Sequence, residues 1–181
     1  MNIFFAPIRF SNKSVLTRLQ KELTEILSVN IDSIMLDINL SGAYSHERKQ
    51  YYSTKILESA ISLTGYAEGI ILIITEIDLY VPVLTFIFGE AQYKGKHSIV
   101  SVCRLHEEFY TGITNDELFY ERTKKEVLHE LGHNFGLLHC LDWDCVMHSS
   151  NSIEEVDIKG DFYCRHCFEE IEISKNILSL K

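Results

Sequence analysis

The run His129-Glu130-Leu131-Gly132-His133-Asn134-Phe135-Gly136-Leu137-Leu138-His139, followed at once by Cys140, decides how this chain is read. Residues four apart in a helix share a face, so His129 and His133 present imidazoles on adjacent turns. Two such rings reach one Zn²⁺ ion. Gly136 lets the backbone leave the helix with positive φ, which returns His139 to the same ion. Three neutral imidazoles leave the fourth position open to water, as a catalytic zinc requires. Glu130 follows the first ligand by one residue, about 100° around the helix. It therefore stands beside the metal and takes a proton from the water held there. His-Glu-x-x-His alone is a weak signal, also met as a polar helix face. The full run with its glycine and third histidine is far more specific.

The five cysteines are Cys103, Cys140, Cys145, Cys164 and Cys167, and four of them crowd into the last third. Cys140 and Cys145 enclose four residues, and Cys164-Arg165-His166-Cys167 is a CxxC. Four thiolates at these spacings close a tetrahedral Zn²⁺ site with no room for water, which makes it structural. Two disulfides are the alternative, and they suit a reducing compartment poorly. Cys103, within Ile-Val-Ser-Val-Cys, reads as a buried small hydrophobe.

The chain has 181 residues, 46% hydrophobic and 24% charged, which is enough apolar material for one packed domain and excludes disorder. Its net charge of −9 argues against a binder of phosphate backbones. Arg165 and Lys159 alone oppose an acidic excess across residues 140–172, so the cysteine-rich end is no nucleic-acid module either. No segment is long and apolar enough to cross a bilayer. Met1–Pro7 lacks the basic flank of a signal peptide, so the expectation is a cytoplasmic, monomeric chain. A first strand from residue 2 leaves no long propeptide ahead of it.

Hydrophobic periodicity predicts strands at 2–6, 34–38, 69–75, 85–91 and 98–105. Gly69–Thr75 is apolar throughout, which suits a central strand covered on both faces. Helices are predicted over 12–28, over 46–64 with Gly65 as the stop, and over a stretch opened by a capping box at Thr114–Glu117 and closed by Gly136. A last helix over 165–178 carries Phe168, Ile171 and Ile177. This is a mixed α/β fold in one domain, residues 1–181, with a sheet-and-helix part to about 135 and a zinc-rich part from about 136.

The string from His129 through Met147 to Cys167 closely resembles the archaemetzincins, a branch of the metzincin clan of zinc metallopeptidases. The family pattern is HExxHxxGxxHC, four residues, Cys-x-Met, then a loop and CxxC. Thr75–Tyr80 and Phe86–Ala91 resemble the segments that precede the zinc helix in that family. The likeness covers roughly residues 70–170, and 1–69 matches in element order only. One departure is small: 16 residues separate Met147 from Cys164, about one fewer than the family pattern.

The resemblance implies a metzincin-like fold: a mixed twisted sheet with an edge strand for substrate, a long zinc-binding helix, a Met-turn and a C-terminal helix. It implies that His129, His133 and His139 hold a catalytic Zn²⁺, that Glu130 is the general base, and that Cys140, Cys145, Cys164 and Cys167 hold a structural one. Met147 matches the Met-turn, packed under the imidazoles. Ser149 stands where other metzincins place a metal-binding tyrosine. Thr85–Ala91 is the candidate edge strand for pairing with extended substrate.

The implied activity is peptide hydrolysis, endo- or aminopeptidase-like, on a peptide or small protein. The alternative is a zinc-bearing module that binds peptides without cutting them. His46, His97 and His166 read as surface or satisfied polar groups, and His148 as a turn residue. Nothing in the spacing of His106 ties it to the cleft.

Overall fold

The computed structural model describes residues 1–65 and 67–179, with side chains described as far as 176. In chain order the elements are β1 (Asn2–Ile8), α1 (Lys13–Leu27), β2 (Asn30–Ser33), β3 (Tyr44–Ser45), β4 (Gln50–Tyr52), α2 (Ser53–Thr64), β5 (Ile70–Thr75), β6 (Leu79–Tyr80), β7 (Gly89–Ala91), β8 (His97–Ser101), α3 (Glu108–Thr111), α4 (Asp116–Phe135), α5 (Ile153–Ile158) and α6 (Arg165–Ser179). The main sheet has the order β2-β1-β5-β8-β7. Its first four strands are parallel, and β7 closes one end antiparallel to β8.

Every residue of β5 is buried, as its unbroken apolar sequence predicts. Ile70, Leu72 and Ile74 face one core with the α1 leucines and with Val127, Leu128 and Leu131 of α4. Ile71 and Ile73 face the other with Ile56, Leu57 and Ala60 of α2. The sheet is thus sandwiched, with α1 and α4 on one side and α2 on the other. The alternation of strand side chains makes that division unavoidable once both faces are apolar.

Two expected elements move. The second strand is residues 30–33, not 34–38: Ser28 takes a left-handed conformation after α1, and the chain enters register with β1 two residues later, at Asn30 opposite Asn2. Only Ile34 prolongs the pairing, through its N–H to the Phe5 carbonyl. The apolar run that follows is used for packing; Ile38 is buried while Met35 faces solvent. The second helix starts at Ser53, not 46, because β3 and β4 form a hairpin there. Gln50 fixes that hairpin with its side-chain N–H groups on Asp78 Oδ2 and the Thr85 carbonyl, a tertiary demand that helix periodicity does not show.

The helix opened by the expected Thr114–Glu117 box is capped instead by Asn115, whose Oδ1 accepts from the Leu118 N–H at 3.1 Å. The fourth and fifth strands expected at 85–91 and 98–105 shorten to β7 and β8, since Val102 to Leu105 turn out of the sheet. Helix α5 was not anticipated. Ile177 lies outside the described side chains. Among the described residues no helix is long and apolar enough to cross a membrane.

The central strand should carry the fold's stability. Leu72→Ala, at a site with no solvent exposure, is expected to cost about 2–5 kcal/mol in urea denaturation. Met35→Ala, 87% exposed, should stay within about 0.5 kcal/mol.

Candidate active site

Helix α4 carries the first part of the histidine run on its buried C-terminal half. It ends where Gly136 adopts φ 98°, a left-handed conformation that favours glycine. The N–H groups of Gly136 and Leu137 return to carbonyls of the last helical turn. The Leu137 carbonyl then accepts from His133 Nδ1 at 2.8 Å, so the exit turn itself holds the second ring. His129 Nδ1 donates to the Val146 carbonyl, also at 2.8 Å.

Carbonyls only accept, so both Nδ1 atoms carry the proton and both Nε2 atoms present lone pairs. Those two Nε2 atoms face each other at 3.1 Å. Two lone pairs at that distance repel unless a cation stands between them. A tetrahedral ion with bonds of about 2.0–2.1 Å to nitrogen sets its ligands about 3.3–3.4 Å apart, close to what is seen. His139 completes the group, with all three ligand nitrogens within 4.8 Å of one another. His129 is buried, His133 half-buried and His139 exposed. Burial lowers the pKa of all three, and for His129 and His139 the neighbouring imidazoles and Lys159 act the same way. All three are thereby pushed toward the neutral form, the form that can bind a metal.

The second cluster fits a metal by the same measure. Cys140, Cys145, Cys164 and Cys167 bring their Sγ atoms within 4.8 Å of one another. The Cys140 and Cys164 sulfurs are 3.9 Å apart, against about 3.8 Å across a tetrahedral zinc with bonds of about 2.3 Å. All the cysteines are free thiols, so the disulfide alternative is not the arrangement found. Burial raises Cys145 and Cys167. Burial also acts upward on Cys164, but hydrogen bonds from the Cys167 amide and the neighbouring thiols outweigh it and bring Cys164 down.

Between the clusters runs the turn Cys145–His148, closed by the His148 N–H on the Cys145 carbonyl. Met147 at its tip is fully buried. A side chain on Gly132 would begin 2.3 Å from Met147 Sδ, so the glycine inside the histidine run is the seat of that methionine. Tyr163 ties the cysteine segment to α4 with a 2.5 Å hydrogen bond from its hydroxyl to the Leu128 carbonyl.

A cavity of about 610 Å³ opens over the histidines. Residues 84–91 form one wall and Ser149–Asn151 another, with Glu126, Glu130 and Lys159 lining it as well. Burial pushes the Glu130 carboxyl well above the usual carboxylate range. Glu126 adds to the rise, and Lys159 opposes it. Along the first wall, β7 ends the sheet, and no described strand pairs with its outer side.

Two residues of this cavity escaped the sequence reading. Lys159, 1% exposed, meets Glu126 at 2.7 Å, an ion pair behind the histidines with neither atom well bonded to any other described group. Glu126 had a signal, since it stands three and four residues before His129 and Glu130 on the same helix face. Lys159 had none, because nothing local predicts the burial of a lysine.

The remaining histidines lie off the site. His46 and His166 are exposed, His97 is buried between Thr64 and Gln92, and His106 pairs with Glu76 and stacks on Phe119. His148 bonds the Cys140 carbonyl and lies on Trp143. Cys103 is half-buried rather than buried, and burial raises its pKa to about 11.

The profile of peptidase family M54 matches residues 13–173. An archaemetzincin of Methanocaldococcus jannaschii is 38% identical over 172 residues, covering 95% of this chain and 93% of that protein. Among solved structures, the archaemetzincin of Methanopyrus kandleri superposes with a TM-score of 0.82 at 35% identity, covering 97% and 96% of the two chains. A zinc-dependent peptidase of Methanocorpusculum labreanum gives 0.83 at 26% identity, covering 93% of this chain and 99% of that one.

The buried pair yields a stability test. Lys159→Met strands the Glu126 charge and is expected to cost about 3–5 kcal/mol in chemical denaturation. The double variant Lys159→Met/Glu126→Leu should recover most of that loss.

Proposed function

The chain belongs to peptidase family M54, the archaemetzincins, and from that premise we propose that its cleft cleaves peptides with Glu130 as general base beside a Zn²⁺ on His129, His133 and His139. In the same reading Cys140, Cys145, Cys164 and Cys167 hold a second, structural Zn²⁺. The observation that carries the reading is the pair of Nδ1–H bonds to backbone carbonyls. They leave the lone pairs of His129 and His133 converging in the cavity that Glu130 lines.

Bound zinc supplies the Lewis acidity that polarises a carbonyl and acidifies water. The protein supplies the rest. Glu130 takes the proton of the attacking water and delivers it to the leaving amine. Burial raises its pKa, which makes it the stronger base toward the attacking water. The carbonyls of Val146 and Leu137 hold the two helical imidazoles in one tautomer and one orientation. The outer edge of β7 offers unpaired backbone groups along the cavity wall, where an extended peptide adds as a further strand. The thiolate centre fixes the turn below the histidines and takes no part in the reaction.

Metal analysis and turnover test this together. Purified protein should carry two zinc ions per chain, and His133→Ala should keep only the thiolate-bound one. Glu130→Ala should keep both while hydrolysis of a peptide library falls by about 10²–10⁴-fold. Undiminished cleavage by Glu130→Ala contradicts the mechanism. Zinc-loaded wild-type protein that binds extended peptides and cuts none points to the binding module instead.

A further inference from the structure

Gly89 is the first residue of β7 and stands opposite Val100 of β8. Its φ lies outside the left-handed region, so the backbone there accepts any L-residue. The reason for glycine is in the space beside it. A Cβ on Gly89 would lie 2.5 Å from Glu130 Oε1, 2.6 Å from its Cγ and 2.7 Å from its Cδ. All three distances are well inside van der Waals contact.

The whole outer half of the Glu130 side chain therefore occupies the volume that any other residue at 89 would fill. Successive side chains of a strand point to opposite faces. Glu90, the next residue, turns away and accepts hydrogen bonds from Ser53 and Thr54 at the start of α2. Glu90 pins β7 on that side, and the pairing with β8 pins it along its length. The strand thus has little freedom to yield, and Glu130 is the group that would move.

We propose that Gly89 is a positioning residue for hydrolysis: its missing side chain is the slot in which the carboxylate of Glu130 is held against the substrate strand. This rests on Glu130 being the base. It goes further in assigning the placement of that carboxylate to the edge strand. The same strand that pairs with the substrate then sets how far the base stands from the bond under attack. A misplacement of about 1 Å is worth as much as 10²-fold in rate.

The test uses the zinc-loaded full chain with two probes. Acetohydroxamate binds a catalytic metal and gives its acidic proton to a neighbouring carboxylate, so its affinity reports where the base stands without requiring turnover. A tryptic digest of denatured casein, followed by mass spectrometry, reports cleavage. Gly89→Ala should keep both zinc ions, bind acetohydroxamate about tenfold more weakly, as loss of a charge-assisted hydrogen bond predicts, and cleave about 10²-fold more slowly. In a Glu130→Gln background the same substitution should change neither further. In a Glu130→Asp background the shorter side chain should leave room for the alanine, so Gly89→Ala costs less there than alone.

Wild-type inhibitor binding and turnover in Gly89→Ala, alongside losses in Glu130→Gln, would overturn the role of Gly89 and leave the base assignment standing. Full cleavage by Glu130→Gln would overturn the base assignment itself. Should Gly89→Ala alone fail to retain zinc, restoration of zinc in Gly89→Ala/Glu130→Asp supports the steric slot, and failure to restore it refutes the slot.

Discussion

A single residue, Val146, joins the two halves of the site through its backbone. Its carbonyl accepts the proton of His129 Nδ1, and its N–H donates to the Phe162 carbonyl in the segment that leads into Cys164. The residue before it is Cys145 and the residue after it is Met147. The orientation of the most buried of the three site imidazoles is thus set by backbone that follows Cys145 directly and bonds the segment leading into Cys164. An imidazole is a good ligand only when its other nitrogen is held. Here that hold lies on backbone beside the cysteine cluster, so a metal proposed there would stiffen the support of the histidines.

The surroundings follow from that constraint. Because His139 and Cys140 are neighbours, the chain crosses from one centre to the other in one step. The Cys140 N–H closes the loop on the Met147 carbonyl. In the proposed reading a Zn²⁺ with four thiolates would contribute −2 and one with three neutral imidazoles +2, so the charge of −9 would be unchanged by two opposed centres side by side. Close approach of α4 to its neighbours requires glycine twice: Gly132 admits Met147 from below, and Gly89 admits Glu130 from the edge strand. The sheet supplies the remaining requirement, an antiparallel end strand beside a long helix.

The parts of this arrangement legible in the sequence are those with local spacing. The histidine run, the glycine exit and the cysteine pairs each encode geometry within one or two turns, and the structure brings each group together. The central strand was legible because an unbroken apolar run has few other uses. What was hidden depends on partners distant in sequence. The hairpin at β3 and β4 is held by Gln50 against Asp78 and Thr85, so helix periodicity misplaced the start of α2. The apolar residues after β2 were mistaken for the strand because packing and pairing draw on the same side chains. The burial of Lys159 against Glu126 and the empty space at Gly89 exist only once β7, α4 and the segment after α5 are assembled.

The proposed function places two zinc ions of different chemistry in one short chain, one on nitrogen and one on sulfur. Zinc K-edge X-ray absorption on the fully loaded protein tests it most directly. Two such ions should give an average shell of about two sulfurs near 2.3 Å and about two nitrogen or oxygen ligands near 2.0–2.1 Å per zinc. Cys164→Ser should reduce the sulfur component, and His133→Ala should leave a shell of sulfur alone. A wild-type spectrum with only sulfur, or with only nitrogen and oxygen, would contradict it.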